Sequence, residues 1–364
     1  MIKGANKTDN QIFENCGVSA VLTKNGKVVG VETSAGIVMC DAIAVCSGLW
    51  SREIGAMAGA EVPVLACEHF YLLTKPIDGI QGTTPTLSDH DSHLYIRDDS
   101  GGLLVGCFEP MGKPIAPGRL TETFEFGLLP EDWEHFEPMM ELAMHRLPSL
   151  ETAEVKMLLN GPESFTPDGT FMLGETAETK GLFLGCGLNS VGIASGGGAG
   201  MNLAHAIVEG HTAYDLSEAD AKRFAPIFNN IKHLMERAPE ILGTHYEIAY
   251  PGRQLKTSRN LYKLPLHREY IDKNAHMGQV FGWERPQYFG IPENHSFRRS
   301  NAFEIVGQEC KNVRENVGIA DLTAFTKIEV SGRDASNLLD RLSANKLPSS
   351  NGGIRLTHML TPLG

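Results

Sequence analysis

The sequence of 364 residues lacks the features that mark several common classes of protein. Its seven cysteines contain no C-x-x-C pair, so the pattern indicates neither a disulfide framework nor a metal site. The longest weakly polar stretch, residues 181–208, is interrupted by Asn189, Asn202 and His205, so we expect no membrane span. Positive charge is scarce, since 32 Lys and Arg stand against 44 Asp and Glu. Because nucleic-acid binding needs clustered cations, we expect no nucleic-acid partner.

Two further absences concern the cofactor motif and the start of the chain. No G-x-G-x-x-G is present, so the usual cradle for a dinucleotide pyrophosphate is missing. The N-terminus has neither the apolar stretch of a signal peptide nor the Arg-rich run of a transit peptide, and it has the character of the middle of a domain. The cysteine usage fits a reducing compartment, either bacterial cytoplasm or the mitochondrial matrix of a eukaryote.

Short runs of alternating apolar residues open the chain and predict strands. Asn25-Gly26 predicts a tight hairpin, because both central residues of such a turn need positive φ. The buried run Ala42–Cys46 predicts a strand that feeds a helix at Ser51–Ala58 through a turn at Ser47-Gly48. Ligands bind at such places in α/β sheets.

A glycine-dense segment, Gly185–Gly200, follows the predicted strand Leu182–Leu184 and precedes a predicted helix over Met201–Glu209. Glycine at this density lets backbone N–H groups approach a flat or anionic ligand. The positive end of the helix dipole at Ala199-Gly200 would favour an electron-rich acceptor such as a flavin oxygen. A packing turn of small residues is the alternative, and the flanking strand and helix favour a cofactor.

Strand-like runs at 62–74, 94–97 and 102–106 predict a further sheet, and the spacing at 130–147 predicts an amphipathic helix. His69 and Tyr71 lie two apart on one strand and so share a face, where they would supply a general base and a hydrogen bond to a cavity. The alternative is that both are interior aromatic rings whose polar atoms are hydrogen-bonded within the protein. Tyr95 and Arg97 pose the same choice between an anchor for a carboxylate and a surface salt bridge.

The composition shifts near residues 216 and 296, where we place domain boundaries. Beyond the first boundary, helical spacing covers 226–242, and the basic residues of 250–270 are expected to form a solvated seam. Beyond the second, the pattern predicts helices at 301–312 and 334–342 and a strand at 327–331.

Five motifs together resemble the dimethylglycine and sarcosine dehydrogenase family. They are Val45–Ser51, Glu68–Tyr71, Gly101–Pro110, Gly161–Gly169 and Gly185–Gly192. The resemblance implies a mixed α+β and α/β fold. An incomplete FAD-binding domain of the glutathione-reductase type (1–75 and 151–215) carries an antiparallel substrate domain (76–150). A connecting domain (216–295) and the start of a folate-binding domain like the glycine-cleavage T-protein (296–364) follow.

The family oxidises N-methylated glycines by hydride transfer to FAD, and tetrahydrofolate then takes up the one-carbon unit. By motif position, the resemblance places Val18 near the adenosine half of FAD, and Ser47, Gly48 and Trp50 near its phosphates and ribityl chain. His69 and Tyr71 fall in the substrate-facing motif, with Tyr71 as the group that orients the substrate. The residues placed against the isoalloxazine ring are Gly187, Leu188, Asn189, Gly192 and Ile193.

The family's first strand, with its G-x-G-x-x-G, and the acidic residue of its folate site are not found between Met1 and Gly364, so we expect an internal fragment of a longer enzyme. Ala194 stands where smaller sarcosine oxidases carry a carboxylate-binding Lys. The substrate stays open between dimethylglycine, sarcosine and another amine, and the electron acceptor between oxygen and an electron-transfer flavoprotein. A non-catalytic relative like the pyruvate dehydrogenase phosphatase regulatory subunit is the alternative.

Overall fold

The computed structural model describes residues 2–5, 7, 10–120, 124–290 and 294–360. Its α-helices in the described ranges are α1 Ile2–Ala5, α2 Ser51–Met57, α3 Trp133–Arg146, α4 Gly192–Glu209, α5 Ile231–Gly243, α6 His267–Asp272, α7 Phe303–Glu315 and α8 Ala335–Leu342. The first strands are β1 Val18–Lys24, β2 Lys27–Thr33, β3 Gly36–Met39, β4 Ile43–Val45, β5 Leu65–Thr74, β6 Leu87–Asp89, β7 Leu94–Asp99 and β8 Gly102–Cys107. The later strands are β9 Lys113–Pro114, β10 Val155–Phe165, β11 Met172–Glu175, β12 Leu182–Cys186, β13 Tyr262–Lys263, β14 Ala275–Val280 and β15 Trp283–Phe289.

The first strands form the predicted antiparallel hairpins, in the order β1-β2-β3. Asn25 and Gly26 have φ angles of 52° and 71°, so the turn has the left-handed backbone that this dipeptide favours. Strand β4 leaves this sheet and joins a second one, in the order β11-β12-β4. Val21 and Val28 of the hairpin pack into the same core as Leu184 of the second sheet, which ties the two sheets together.

The largest sheet has the order β10-β5-β8-β7-β6 and is antiparallel. Side chains alternate between its two faces. One face, which includes Phe70 and Leu72 of β5, packs against Phe136 of helix α3. The other face carries Cys67 and packs at one end against Leu234 of helix α5. On β5, Cys67, His69 and Tyr71 therefore point away from α3.

Helix α4 corrects one prediction, because it begins at Gly192 and not at Met201. Glycine has a low helix propensity, but the packing of Leu203 and Ala206 under the sheet overrides it and the helix extends back to the loop. The positive end of the helix dipole therefore lies at Gly192 instead of Ala199-Gly200. Gly210, with φ of 81°, ends the helix as predicted.

The last third of the chain contains α5, a small sheet of order β13-β15-β14, and the helices α7 and α8. Residues 327–331 are exposed and form no strand, because no neighbouring strand of the described chain pairs with them. Arg259, which we expected in a solvated seam, instead pairs with the buried carboxylate of Glu284, and its Nε donates to Glu284 at 2.8 Å.

Candidate active site

Two loops meet at one edge of the sheet that contains β4 and β12. Ile43–Val45 runs parallel to Leu182–Leu184, so the chain leaves both strands at the same edge. Cys46 and Gly185 are neighbours there, because a Cβ added to Gly185 would lie 3.2 Å from the Cys46 Sγ. The carboxyl ends of parallel strands are where α/β proteins bind ligands. The two predicted loops therefore converge on a place suited to a ligand.

The first loop leads directly into helix α2. Gly48 has a left-handed φ of 58°, and a Cβ there would meet no atom within 4 Å. The Oγ atoms of Ser47 and Ser51 lie 3.2 Å apart, which ties the turn to the first residue of α2. Trp50 is 41% exposed beside this turn. The loop thus presents an open backbone and an accessible indole ring.

The second loop is held by the buried side chain of Asn189, whose φ is 46°. Its Oδ1 accepts a hydrogen bond from the backbone N–H of Thr166 at 2.9 Å. Its Nδ2 donates to the carbonyl of Gly187 at 2.6 Å. Asn tolerates the left-handed conformation better than most residues, which explains its place here. The side-chain amide of Asn189 is therefore bonded within the protein and shapes the loop from inside.

The N-terminal half of α4 presents bare backbone on its exposed side. A Cβ added to any of four glycines would meet no atom within 4 Å: Gly196, Gly197, Gly198 and Gly200. Ile193 is fully exposed in the first turn, and no side chain caps the helix start at Val191. The first N–H groups of the helix are consequently free of a side-chain cap and carry the positive end of the helix dipole.

A second surface, which we call the tyrosine face, lies on the side of the largest sheet opposite α3. Tyr71 of β5 is paired across Gly106 of β8 with Tyr95 of β7. A Cβ at Gly106 would overlap the Tyr95 ring, so that ring lies over Gly106 on the side of Tyr71. His69 lies on the same face, opposite Gly161 of β10, and is only 7% exposed. The predicted pair His69 and Tyr71 is thus confirmed as sharing one face.

Ring contacts connect the tyrosine face to the second loop. His69 lies 4.9 Å from Phe108 between ring centroids, and Phe108 stacks on His245 at 4.7 Å. The Nε2 of His245 is 2.8 Å from the backbone carbonyl of Asn189. The sheet face and the glycine-rich loop are therefore two walls of one continuous arrangement.

Two buried polar atoms on the tyrosine face have no hydrogen-bond partner, the Nδ1 of His69 and the Oε2 of Glu163. Buried polar atoms are nearly always paired, so these two atoms have bonding capacity left for a ligand or a bound water. Burial, with a contribution from neighbours that include Glu163, raises the pKa of Tyr95 well above its usual value. Tyr95 consequently stays protonated and available as a donor. The His69 ring is packed against Phe108, and its Nδ1 has no partner within the described part of the protein.

Arg97 forms a surface salt bridge, which is one of the two alternatives that the sequence left open. It is half-exposed, donates to the carbonyl of Asp98 at 3.0 Å and lies 3.7 Å from Asp99. Such an exposed pair contributes little to stability and offers no buried anchor for a carboxylate.

Comparison with known proteins gives the arrangement a family. The family model described as FAD dependent oxidoreductase matches residues 1–206, which is more than half of the chain. The chain belongs to this family. The models described as FAD dependent oxidoreductase central domain and GCVT N-terminal domain match residues 209–263 and 266–364.

Curated relatives agree with these matches. The chain is 40% identical over 342 residues to 4-methylaminobutanoate oxidase (formaldehyde-forming) of Paenarthrobacter nicotinovorans, covering 92% of this chain and 41% of the relative. It is 36% identical over 378 residues to the mitochondrial pyruvate dehydrogenase phosphatase regulatory subunit of Mus musculus, covering 100% of this chain and 43% of the relative. It is 32% identical over 399 residues to the mitochondrial sarcosine dehydrogenase of Homo sapiens, covering 100% of this chain and 43% of the relative.

The chain therefore spans about two fifths of the length of these relatives, which are 41% to 43% covered. The resemblance to the dimethylglycine and sarcosine dehydrogenase family is confirmed, as is the mixed fold with its flavin-binding, central and T-protein-like parts. In the described ranges, no helix is long and apolar enough to cross a membrane, and no three His, Cys, Asp or Glu residues are grouped to hold a metal.

The two converging loops fit an FAD at the sheet edge. The open backbone at Gly48 and along α4 leaves room that a Cβ would otherwise fill, and the uncapped start of α4 suits an electron-rich group. Ser47, Gly48 and Trp50 lie on one of the two converging loops, and the predicted residues 187–193 lie on the other. Val18 is the exception, because it lies at the start of β1 in the separate hairpin sheet.

Three contributors to the site were not predicted. Glu163 belongs to a motif that we quoted, but its role depends on pairing between β10 and β5. Phe108 and His245 come together from β8 and the turn after α5, which are far apart in sequence. A histidine near the end of a helix gives no local signal of such a contact, so only the fold reveals it.

Proposed function

We propose that the protein oxidises the N-methyl group of an N-methylated amino acid with bound FAD. The observation that carries the proposal is the connection between the two converging loops and the tyrosine face through Phe108 and His245. A flat cofactor against the loops would meet a substrate held on that face. Sarcosine dehydrogenase and 4-methylaminobutanoate oxidase, whose names say that they act on methylamino acids, support this substrate class.

The residues proposed to hold FAD keep the roles that the motifs indicated. Ser47, Gly48 and Trp50 hold the phosphates and ribityl chain, the segment Gly187–Ile193 lies against the ring, and Val18 lies toward the adenosine half. When bound, FAD supplies the acceptor for the hydride that leaves the substrate methyl group. The protein's own contribution is to position the amine and to exclude water.

On the tyrosine face, we assign the orientation of the substrate amine to Tyr71, which is half-buried and stands beside Tyr95. The unpaired Nδ1 of His69 is available to exchange a hydrogen bond or proton with the amine. Phe108 and His245 close the side toward the glycine loop, and their stacked rings exclude solvent there. The iminium product would then be hydrolysed, or its one-carbon unit would be transferred to tetrahydrofolate.

Anaerobic titration of the full-length protein tests the proposal directly. Sarcosine, dimethylglycine and 4-methylaminobutanoate are added separately while the flavin absorbance is followed. We expect bleaching by at least one of them, with a rate at least about 10²-fold lower in Tyr71→Phe, a loss typical of a positioned catalytic hydrogen bond. The matched control is Tyr214→Phe, an exposed tyrosine in another part of the chain. No bleaching by any N-methylated amino acid would refute the proposal.

We further propose that tetrahydrofolate receives the one-carbon unit, because residues 266–364 match a GCVT N-terminal domain. The same reaction run with and without tetrahydrofolate separates the alternatives. Methylenetetrahydrofolate formed at the expense of free formaldehyde supports transfer, whereas equal formaldehyde in both reactions contradicts it. An electron-transfer flavoprotein is the proposed electron acceptor, and flavin reoxidation that is equally fast with oxygen alone would contradict that assignment.

A regulatory protein is the second candidate, because the chain is 36% identical over its full length to a pyruvate dehydrogenase phosphatase regulatory subunit. The flavin titration distinguishes the two. A protein that is purely regulatory would show no substrate-dependent bleaching, whereas the tyrosine face with its unpaired polar atoms favours turnover.

A further inference from the structure

Glu163 lies on the tyrosine face, although the mechanism so far gives it no role. It is paired with Cys67 of β5, and both belong to the same side of the sheet as His69 and Tyr71. His69 is the next residue along β5 on that side. Glu163 is therefore a near neighbour of His69, one of the two residues assigned to the substrate.

One oxygen of the Glu163 carboxylate has no partner within the described part of the protein. Its Oε2 is shielded from solvent and accepts no hydrogen bond. No ion pair found in the described ranges includes Glu163. Glu68 of β5 and Glu109, which follows β8, are buried as well, and each has a cationic or histidine partner. A carboxylate oxygen that is shielded from water and unpaired favours the binding of a cation beside it.

The space beside Glu163 is open and has aromatic walls. Gly161, two residues before it on β10, has no side chain, and a Cβ there would meet no atom within 4 Å. Tyr71 and Tyr95 stand along the same face. Aromatic rings attract alkylated ammonium groups through their π faces, and a carboxylate adds a direct charge. This combination suits a methylated ammonium ion.

We propose that Glu163 binds the ammonium nitrogen of the substrate and so selects secondary and tertiary amines. The assignment rests on the proposed function, and it adds a residue that recognises the amine end of the substrate. Glu163 is a binding residue here, and no proton or hydride passes through it. A Lys or Arg from a polypeptide segment outside the described ranges is the competing occupant of the same place.

Two dead-end ligands of equal shape and different charge test the assignment in the full-length protein. Trimethylglycine carries a permanent ammonium and cannot lose a hydride from an amine with a free electron pair. 3,3-Dimethylbutanoate replaces the nitrogen by carbon and is neutral at that end. Dissociation constants are measured by perturbation of the flavin spectrum and by calorimetry, so no turnover is needed.

In the wild type we expect trimethylglycine to bind at least about tenfold tighter than 3,3-dimethylbutanoate. Glu163→Gln should remove that preference by weakening trimethylglycine about tenfold while leaving 3,3-dimethylbutanoate within about twofold. Ser164→Ala is the matched control, because Ser164 is the next residue on β10 and faces the other side of the sheet. It should change neither constant.

Equal weakening of both ligands by Glu163→Gln, or no preference in the wild type, would overturn the assignment. The second result is also the one expected if a protein cation already occupies the carboxylate. Should the Gln variant fail to fold, the wild-type preference and the charge-retaining Glu163→Asp variant still decide the question. If substrates bleach the flavin but the preference is absent, the assignment fails while the proposed function stands. If no substrate bleaches it, the proposed function fails and calorimetry still tests Glu163.

Discussion

Asn189 offers the most direct test of how the glycine-rich loop is held, through the substitution Asn189→Ala. The side chain bonds the backbone N–H of Thr166 and the carbonyl of Gly187, and Thr166 and Asn189 are both buried. Removing it leaves both backbone groups unpaired in a place that water does not reach. Each orphaned group costs about 1–3 kcal/mol.

The backbone adds a second penalty, because Asn189 has φ of 46°. Alanine in the left-handed region costs about 1–2 kcal/mol. The total expected loss for Asn189→Ala is therefore about 3–8 kcal/mol, a large part of the usual 5–15 kcal/mol stability of a domain. Asn189→Gly is the control, since it loses the same hydrogen bonds but tolerates the backbone. It should be about 1 kcal/mol more stable than the Ala variant.

Chemical denaturation followed by fluorescence measures these differences, and flavin binding to the full-length variants reports on the loop itself. We expect FAD affinity to fall in both variants, because the loop loses its internal support. A loss below about 1 kcal/mol in Asn189→Ala with unchanged FAD affinity would refute the reasoning. That result would mean that the loop keeps its shape without the amide.

Two other predictions concern pairs that fix the sheet and the turn after β10. The hydrogen bond to buried Glu109 raises the pKa of His135 above 6.5, so its stabilisation is present below that pH and lost as pH rises through the higher folded value. His135→Gln should therefore cost about 1–2 kcal/mol near pH 5 and little near pH 8, and a pH-independent difference in unfolding free energy would contradict this. Arg223 donates to Asp168 from Nε at 2.8 Å and from Nη2 at 3.0 Å. Because lysine cannot make both hydrogen bonds, Arg223→Lys should lower the free energy of unfolding by about 2 kcal/mol. A change below about 0.5 kcal/mol in chemical denaturation would contradict this.

Local sequence chemistry predicted the elements whose cause is local. Asn25-Gly26 forms its hairpin because the dipeptide itself favours positive φ. The start of α4 was predicted nine residues too late, because propensity argues against glycine in a helix while packing under the sheet decides the outcome. The solvated role expected for Arg259 was wrong for a similar reason, since its partner Glu284 lies 25 residues away.

In the candidate site, too, the sequence predicted what depends on local structure and missed what depends on contacts between distant segments. His69 and Tyr71 were predicted to share a face because alternation within one strand is readable. The nearness of Glu163 depends on the register between β10 and β5, and that of His245 on how the turn after α5 meets the glycine loop. Pairing across strands and contacts between distant segments are set by the whole fold, so the sequence alone did not reveal them.

The ring of Tyr95 lies where a side chain at Gly106 would be, and this has a consequence for how such a site diverges. The two positions share a single volume, so a larger residue can be accepted at one only if the other becomes smaller. Homologues with alanine or serine in place of Gly106 are expected to have lost the aromatic ring opposite it. Across the family, the residues at these two positions should covary, so that a larger side chain at one accompanies a smaller side chain at the other.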